Sequence, residues 1–315
     1  MPESTLLLTG LDASNPLGFM AALGVLCLLN DKAPPGHEAP YRLRWHNDGR
    51  WLAELEGVDD ADGLTAKLHT DLASWADEKA LTLAYGEDGE LVSSRAPGAI
   101  FDLKPKPSAF RIFCDQVAND AAPDRLRSAR LVSSFGSELI ADNNGNLKPT
   151  ALHFTAGQQR FLDMVRQLRS QLTTDDFREA LLGPWRNQSK LPSLSWNASA
   201  PRIYAYRATN PSGEKRGSVP AADWLAFCAL SFFPVSANRG RLATATIRGG
   251  WKDSIMTWPV WTEPITAHVV RSLLILFPHI PKSQWSSLGI AGSYRASILR
   301  SDQGGYGSFT PASAV

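Results

Sequence analysis

The sequence predicts an α+β fold, with strand hairpins near both ends of the chain and a mainly helical middle. Two hairpins support this prediction. Residues 41–45 alternate apolar and basic side chains and are predicted to be a strand. Residues 46–49 are typical of a turn, and residues 51–56 are predicted to be the second strand of the hairpin. Residues 242–248 and 254–261 flank a turn that begins with two glycines. Because strands and helices are segregated along the chain, the sequence favours α+β over α/β.

Apolar spacing and capping residues predict the elements around the first hairpin. Residues 5–11 should form a first strand, and residues 17–29 a buried helix with Pro16 in its first turn. Leucines and a tryptophan recur at helical spacing over residues 62–77, which predicts a surface helix. Residues 84–98 are rich in glycine, serine and charge, and we expect a loop there.

Helices dominate the predicted middle of the chain. The strongest is predicted over residues 157–172, because four apolar residues share one face: Phe161, Leu162, Val165 and Leu168. A shorter helix is predicted over residues 174–182, where Asp175 and Asp176 suit the positive end of the helix dipole. Residues 183–220 hold many Pro, Ser and Asn residues and are predicted to be irregular.

The last third returns to strands around one more helix. Residues 293–299 are predicted to be a late strand, followed by a glycine-rich tail. The helix is predicted over residues 263–277, and its apolar spacing indicates that it buries Ile265, Val269, Leu273 and Phe277.

Charge is distributed unevenly along the chain, whose net charge is only +1. The net charge by segment is −9 over 1–100, +3 over 101–200 and +7 over 201–315. We expect three regions, as separate units or one continuous domain: acidic α+β at 1–107, mainly helical at 108–200 and basic α+β at 201–315. This asymmetry favours one face that approaches nucleic acid and one that avoids it, although solvated surface explains the same charges.

Composition excludes several classes of protein. Cys27, Cys114 and Cys228 lie far apart among apolar residues and form no CxxC pair, so we expect core side chains in a reduced protein. The apolar run at residues 17–29 is too short to span a membrane, and no basic residue precedes it as in a signal peptide. We therefore expect a cytoplasmic protein with no membrane contact and no cofactor.

Sequence signatures of catalysis are missing as well. The sequence has no Walker loop, Rossmann fingerprint, HExxH or GxSxG pattern, and its six histidines are scattered. His153 is the candidate for a catalytic base, and a hydrogen-bonded strand histidine is the alternative. We expect a protein that is not an enzyme. The rival hypothesis is a small nuclease or hydrolase in which His153, His46 and an acidic residue share a pocket.

A basic stretch over residues 202–252 indicates nucleic-acid contact. Glu214 and Asp223 are its acidic residues, against eight cations: Arg202, Arg207, Lys215, Arg216, Arg239, Arg241, Arg248 and Lys252. Guanidinium groups bind phosphate oxygens bidentately, and bases stack on aromatic faces such as those of Tyr204, Tyr206, Trp251 and Trp258. We predict phosphate contacts by Arg239, Arg241, Arg248 and Lys252. The alternative is a solvated loop.

Amide side chains give the chain a means of distinguishing bases. Residues 142–146 form a predicted polar turn with Asn143, Asn144 and Asn146, and Gln158 and Gln159 stand at the predicted start of a helix. An amide both donates and accepts, which matches the adenine edge in the major groove. The alternative is that the asparagines shape the turn and the glutamines bond the nearby backbone.

Three stretches resemble the large-subunit-like proteins of type I CRISPR Cascade effectors, especially those of subtype I-G (formerly I-U). They are Leu8-Thr9-Gly10-Leu11 with Asn15-Pro16-Leu17-Gly18-Phe19, the hairpin segment Trp45-His46-Asn47-Asp48-Gly49, and Thr155-Ala156-Gly157-Gln158-Gln159. The resemblance implies a non-catalytic subunit that assembles with CRISPR RNA and other Cascade subunits. Such a subunit engages target DNA at the protospacer-adjacent motif and recruits a separate helicase-nuclease. A protein scaffold without nucleic-acid contact is a third hypothesis.

Overall fold

The computed structural model describes residues 4–31, 41–122, 125–198, 218–301 and 306–315. The α+β class is confirmed, because sheets lie near both ends of the chain and helices dominate between them. Part of the predicted basic stretch lies outside the described residues, namely Arg202, Tyr204, Tyr206, Arg207, Glu214, Lys215 and Arg216.

Strands in the described ranges form two antiparallel sheets and two separate hairpins. The N-terminal sheet consists of β1 (Thr5–Asp12), β2 (Arg42–Asn47) and β3 (Trp51–Glu56), with β3 in the centre. The separate hairpins are β4 (Gly136–Ala141) with β5 (Leu147–Pro149), and β6 (Val235–Asn238) with β7 (Arg241–Thr244). The C-terminal sheet consists of β8 (Ile247–Arg248), β9 (Ile255–Trp261), β10 (Ile290–Arg300), β11 (Gly307–Phe309) and β12 (Ser313–Ala314).

The helices connect these sheets and hairpins. In chain order they are α1 (Pro16–Asn30), α2 (Ala61–Asp71), α3 (Pro107–Asp120), α4 (Arg127–Val132), α5 (Phe161–Gln171), α6 (Thr174–Leu182), α7 (Pro220–Cys228) and α8 (Ala267–Leu276). Short 3₁₀ turns lie at Leu72–Trp75, Lys79–Thr82, Ala229–Phe232, Phe277–His279, Lys282–Gln284 and Ser286–Leu288. None of the helices in the described ranges is long and apolar enough to cross a lipid bilayer.

Aromatic side chains join the two sheets around α1. The ring of Phe19 on α1 stacks on Trp45 of β2 with centroids 5.6 Å apart. It also contacts Trp258 and Trp261 of β9, at 5.7 and 6.4 Å. The Trp261 indole N–H donates to the carbonyl oxygen of Leu43 at 2.8 Å, so its polar end is satisfied. One core therefore includes residues from both ends of the chain.

Helix α1 crosses α7 at Gly24. A Cβ at position 24 would meet the backbone carbonyl of Leu225, so the two helix backbones touch there and only glycine fits. Cys27 and Cys228 lie in the same region and are buried, as expected, while Cys114 is partly buried. Burial raises the pKa of Cys27 to about 11, which keeps this thiol protonated.

Two predicted helices differ from the observed ones. The helix was predicted to begin at residue 157 but begins at Phe161. Gly157 adopts a φ of +61°, which is not helical, so residues 157–158 form a turn before the helix. Helix α8 buries Val270 and Leu274, whereas the predicted Val269 is 49% exposed. Val269 and Val270 are adjacent and lie on different faces of the helix, and it is the face of Val270 that packs against the core.

The predicted second hairpin is also divided differently. Residues 242–244 do not pair with β9; they belong to β7, which pairs with β6. Only Ile247–Arg248 continues to β9. The turn between β6 and β7 holds Arg239 and Gly240, both at positive φ, and this two-residue turn was not predicted.

Candidate nucleic-acid interface

The turn that joins β4 to β5 carries the predicted asparagines. Asp142 shapes it, because its carboxylate accepts hydrogen bonds from the backbone N–H groups of Asn144 and Asn146 at 2.9 and 3.0 Å. Asn143 and Asn144 are exposed, and neither side chain bonds to a described residue. Asn146 is half-buried. The turn therefore leaves two amide side chains at its tip.

The turn that joins β6 to β7 carries two of the predicted arginines. Arg239 has a φ of +48° and Gly240 a φ of +73°, which is the two-residue hairpin turn whose twist matches that of the strands. Asn238 and Arg241 pair across it. Arg239 and Arg241 are exposed, and neither forms an ion pair with a residue in the described ranges.

These two hairpins pack against each other. At the bases of the hairpins, the Val235 N–H donates to the backbone carbonyl oxygen of Ser133 at 2.9 Å. The Ala151 N–H donates to the hydroxyl of Thr244 at 3.2 Å. Strand β4 then packs against both β6 and β7. The asparagine turn and the arginine turn thus belong to one structural unit, although their sequence positions are almost a hundred residues apart.

Of the remaining predicted cations, Arg248 ends β8 and Lys252 lies on the turn between β8 and β9. Arg248 is exposed but donates to the carbonyl oxygen of Pro278 at 2.6 Å, so its guanidinium group is partly engaged. Lys252 is exposed. Trp251 between them is 38% exposed. Trp258, in contrast, is fully buried, so the prediction that it offers a face for stacking bases is wrong.

Arg300 of β10 holds Trp251 in place. Its guanidinium carbon lies 3.6 Å from the centroid of the Trp251 ring, and Lys148 lies over the same ring at 5.8 Å. Arg300 also donates to the carbonyl oxygens of Ala151 and His153 at 2.7 and 3.0 Å. Burial lowers the pKa of Arg300 to about 10. This residue fixes an exposed aromatic ring beside the segment at 151–153.

Gln158 and Gln159 lie on the turn before α5, not at the helix start. Both are exposed, and neither side chain bonds to the nearby backbone. Gly157 has a positive φ of +61°, which favours glycine, and a Cβ there would also meet the hydroxyl at the end of the Tyr306 side chain. The two glutamines therefore lie at the surface on the turn that Gly157 opens.

His153 is buried in the segment between β5 and α5 rather than on a strand. Its Nε2 lies 2.9 Å from the Asp102 carboxylate and 3.0 Å from the Thr155 hydroxyl. Burial lowers the pKa of His153, and the attraction of Asp102 only partly offsets this. The neutral ring therefore donates its Nε2–H to Asp102, which also accepts the Phe161 N–H at 3.1 Å.

This pairing has the composition of a catalytic dyad but not the geometry. Asp102 and Thr155 both contact the same ring nitrogen, whereas a proton relay uses the two nitrogens separately. His153 is 1% exposed, which leaves a substrate no access. His46 is elsewhere: it is exposed on β2, 3.5 Å from Glu54. The two histidines share no partner among the residues that the structure describes.

Sequence reasoning missed Asp102, Lys148 and Arg300. Asp102 precedes His153 by 51 residues, and Arg300 follows it by 147, so no local pattern could pair them. Within the described ranges, no group of three or more His, Cys, Asp or Glu residues is arranged to hold a metal ion. No protein-family model and no curated protein matches this chain.

Proposed function

We propose that this chain is a non-catalytic subunit of a CRISPR RNA-guided antiviral surveillance complex in the cytoplasm. It binds target DNA near the protospacer-adjacent motif and helps to recruit the helicase-nuclease. The observation that carries the proposal is the union of the arginine turn at Arg239–Gly240–Arg241 with the asparagine turn at Asn143–Asn144 on packed hairpins.

The arginine turn suits phosphate. Arg239 and Arg241 have no carboxylate partner among the described residues, so their guanidinium groups are available to phosphate oxygens. A two-stranded ribbon of this kind fits the major groove of DNA. Phosphate contacts set the position of a protein on the duplex without reading its sequence, which is the larger part of what a guided complex needs.

The asparagine turn suits base edges. Asp142 holds the backbone of the turn, so Asn143 and Asn144 are not needed to shape it and their amides are free to bond elsewhere. The bases of the two hairpins are adjacent and β4 packs against β6 and β7, so both turns belong to one packed unit. A duplex that meets the arginines would bring its groove toward the amides.

Trp251 adds a place for unpaired bases. An exposed indole ring backed by a guanidinium group, with Lys252 beside it, matches the aromatic and cationic groups that hold single strands. Opening of the duplex next to the recognised motif produces such a strand. The burial of the His153–Asp102 pair supports a structural role for His153 and favours recognition over catalysis.

A titration of duplex DNA at several salt concentrations tests the proposal. Replacing Arg239 or Arg241 by Gln should weaken binding about equally for all sequences and reduce the salt slope by about one unit per lost phosphate contact. Arg111→Gln is the matched control, since Arg111 is an exposed arginine on α3. If both turn variants bind like the control, the hairpins are not the DNA interface. Tight binding to a protein partner without DNA binding would favour the scaffold hypothesis.

A further inference from the structure

A half-open cleft lies between α5 and the 3₁₀ turn Lys79–Thr82. It has a volume of about 390 Å³ and is lined by Ala76, Leu81, Thr82, Arg166, Gln167, Arg169 and Ser170. Small-ligand sites begin at about 300 Å³, so the cleft can hold a molecule the size of a mononucleotide. It shares no residue with the two hairpins.

Arg166 is held rigidly at the wall of the cleft. Its guanidinium carbon lies 4.0 Å above the centroid of the Phe101 ring, and Nη1 donates to the carbonyl oxygen of Leu81 at 3.0 Å. The stack and the single hydrogen bond fix the plane of the guanidinium group. Its other N–H groups are left for a ligand, and a fixed guanidinium loses little entropy when it binds an anion.

Arg169 lies one turn further along α5 and lines the same cleft. It forms no hydrogen bond or ion pair with any residue in the described ranges. Burial raises the pKa of Asp163, the acidic residue of this helix, and the charge of Arg166 partly offsets this, so Asp163 partly compensates Arg166. Glu78, near the cleft in sequence, is already engaged by Arg127 at 3.6 Å. Two positive charges therefore line one cleft, and Arg169 has no carboxylate partner among the described residues.

The Gln167 amide adds neutral donors to these charges, whereas the hydroxyls of Thr82 and Ser170 already donate to the carbonyl oxygens of Lys79 and Gln167 at 2.8 and 3.0 Å. Thr82, Ser170 and Gln167 line the cleft together with the arginines. Phosphate oxygens accept several hydrogen bonds at once, and guanidinium groups with an amide N–H donor suit them. A carboxylate ligand would use fewer of these donors.

We propose that this cleft binds a terminal phosphate group, with Arg166 and Arg169 as the charged ligands. The phosphate belongs to a mononucleotide or to the phosphorylated end of a nucleic-acid strand. This site goes beyond the function proposed for the hairpins and does not depend on it.

Calorimetric titration with AMP and adenosine tests the site in the intact chain. AMP should bind and adenosine should not. Arg169→Gln should weaken AMP binding about tenfold or more, which corresponds to about 1.4 kcal/mol. Arg111→Gln makes the same change of charge on another exposed helix surface and should leave AMP binding unchanged. Arg166→Lys is the second variant, and thermal melting shows whether it remains folded.

Two RNA oligonucleotides of one sequence, with a 5′-phosphate or a 5′-hydroxyl, distinguish the sources. A preference for the phosphorylated RNA that Arg169→Gln removes identifies a strand end as ligand; discrimination of AMP alone identifies a small molecule. Equal binding of AMP and adenosine, binding of neither, or equal behaviour of Arg169→Gln and Arg111→Gln would overturn the proposal. Because none of these ligands is duplex DNA, failure here leaves the test of the hairpins intact.

Discussion

Asp223 offers a sharp test of how the structure handles a buried charge. Its side chain is fully buried in the first turn of α7, and neither carboxylate oxygen has a hydrogen-bond partner of good geometry. Burial raises its pKa from 3.8 to about 7, and the nearby Ser193 hydroxyl and Leu194 N–H offset only part of this. The substitution Asp223→Asn keeps the shape of the side chain and removes its titratable group.

The pH dependence of stability follows from the proton that Asp223 binds in the folded chain. Between pH 3.8 and 7 the folded chain keeps a proton on Asp223 that the unfolded chain has released. The stabilisation is complete below the unfolded pKa and is lost as pH rises through the folded one. A shift of about three pKa units corresponds to about 4 kcal/mol, of which about 3 kcal/mol falls between pH 4.5 and pH 8. Between pH 4.5 and pH 8, the free energy of unfolding of Asp223→Asn should therefore rise by about 3 kcal/mol relative to that of the parent chain.

Urea unfolding of both chains at pH 4.5 and pH 8 measures this difference. Any packing cost of the new amide is the same at both pH values, so it cancels in the comparison. Asp175→Asn is the control, because Asp175 is exposed on α6 and its replacement should change the difference little. If the stability difference between Asp223→Asn and the parent chain is the same at both pH values, the carboxylate is not buried without a partner and the reasoning is wrong.

Three further predictions concern packing, recognition and catalysis. Gly24→Ala should lower the free energy of unfolding by about 2 kcal/mol despite its better helix propensity, because the added methyl meets the Leu225 carbonyl; urea midpoints measure it. Asn144→Ala and Gln158→Ala should melt like the parent chain but lose about 1–3 kcal/mol of preference for the recognised motif; early melting with full preference would support a structural role instead. The pure chain should not cleave DNA or RNA with Mg²⁺ or Mn²⁺, and cleavage that co-elutes with it and is lost in His153→Ala would refute this.

Local patterns predicted the elements whose signals are local. The first hairpin matches because its alternation and turn residues lie within sixteen positions, residues 41–56. Helix α6 spans the predicted Thr174–Leu182, because Thr173 and Asp176 cap it reciprocally: the Asp176 carboxylate accepts the Thr173 N–H at 2.8 Å. Such caps depend on neighbours in sequence and need no tertiary structure.

Elements set by backbone strain or packing were not predictable. The turn between β6 and β7 places Arg239, a residue with a Cβ, at positive φ, and nothing in the sequence marks it for that conformation. Helix α5 begins at Phe161 without a side-chain cap, so its start carries no signature. Both cases depend on the neighbouring hairpin and core.

The candidate site was predicted in part. The exposed positions of Arg239, Arg241, Asn143 and Asn144 agree with surface roles, but their union on packed hairpins depends on long-range contacts. Trp258 was chosen for its position among cations, yet its indole N–H donates to a core carbonyl, that of Ala13, at 2.8 Å. Composition marks which residues are basic or aromatic, while only the fold decides which of them reach solvent.

Purification of the chain from its own cells, followed by sequencing of any bound RNA, tests the central claim most directly. A subunit of a guided complex should bring with it the other Cascade subunits and an RNA of uniform length with a repeat-derived end. No RNA, or fragments of mixed length and sequence, would contradict the claim that this chain belongs to an RNA-guided complex.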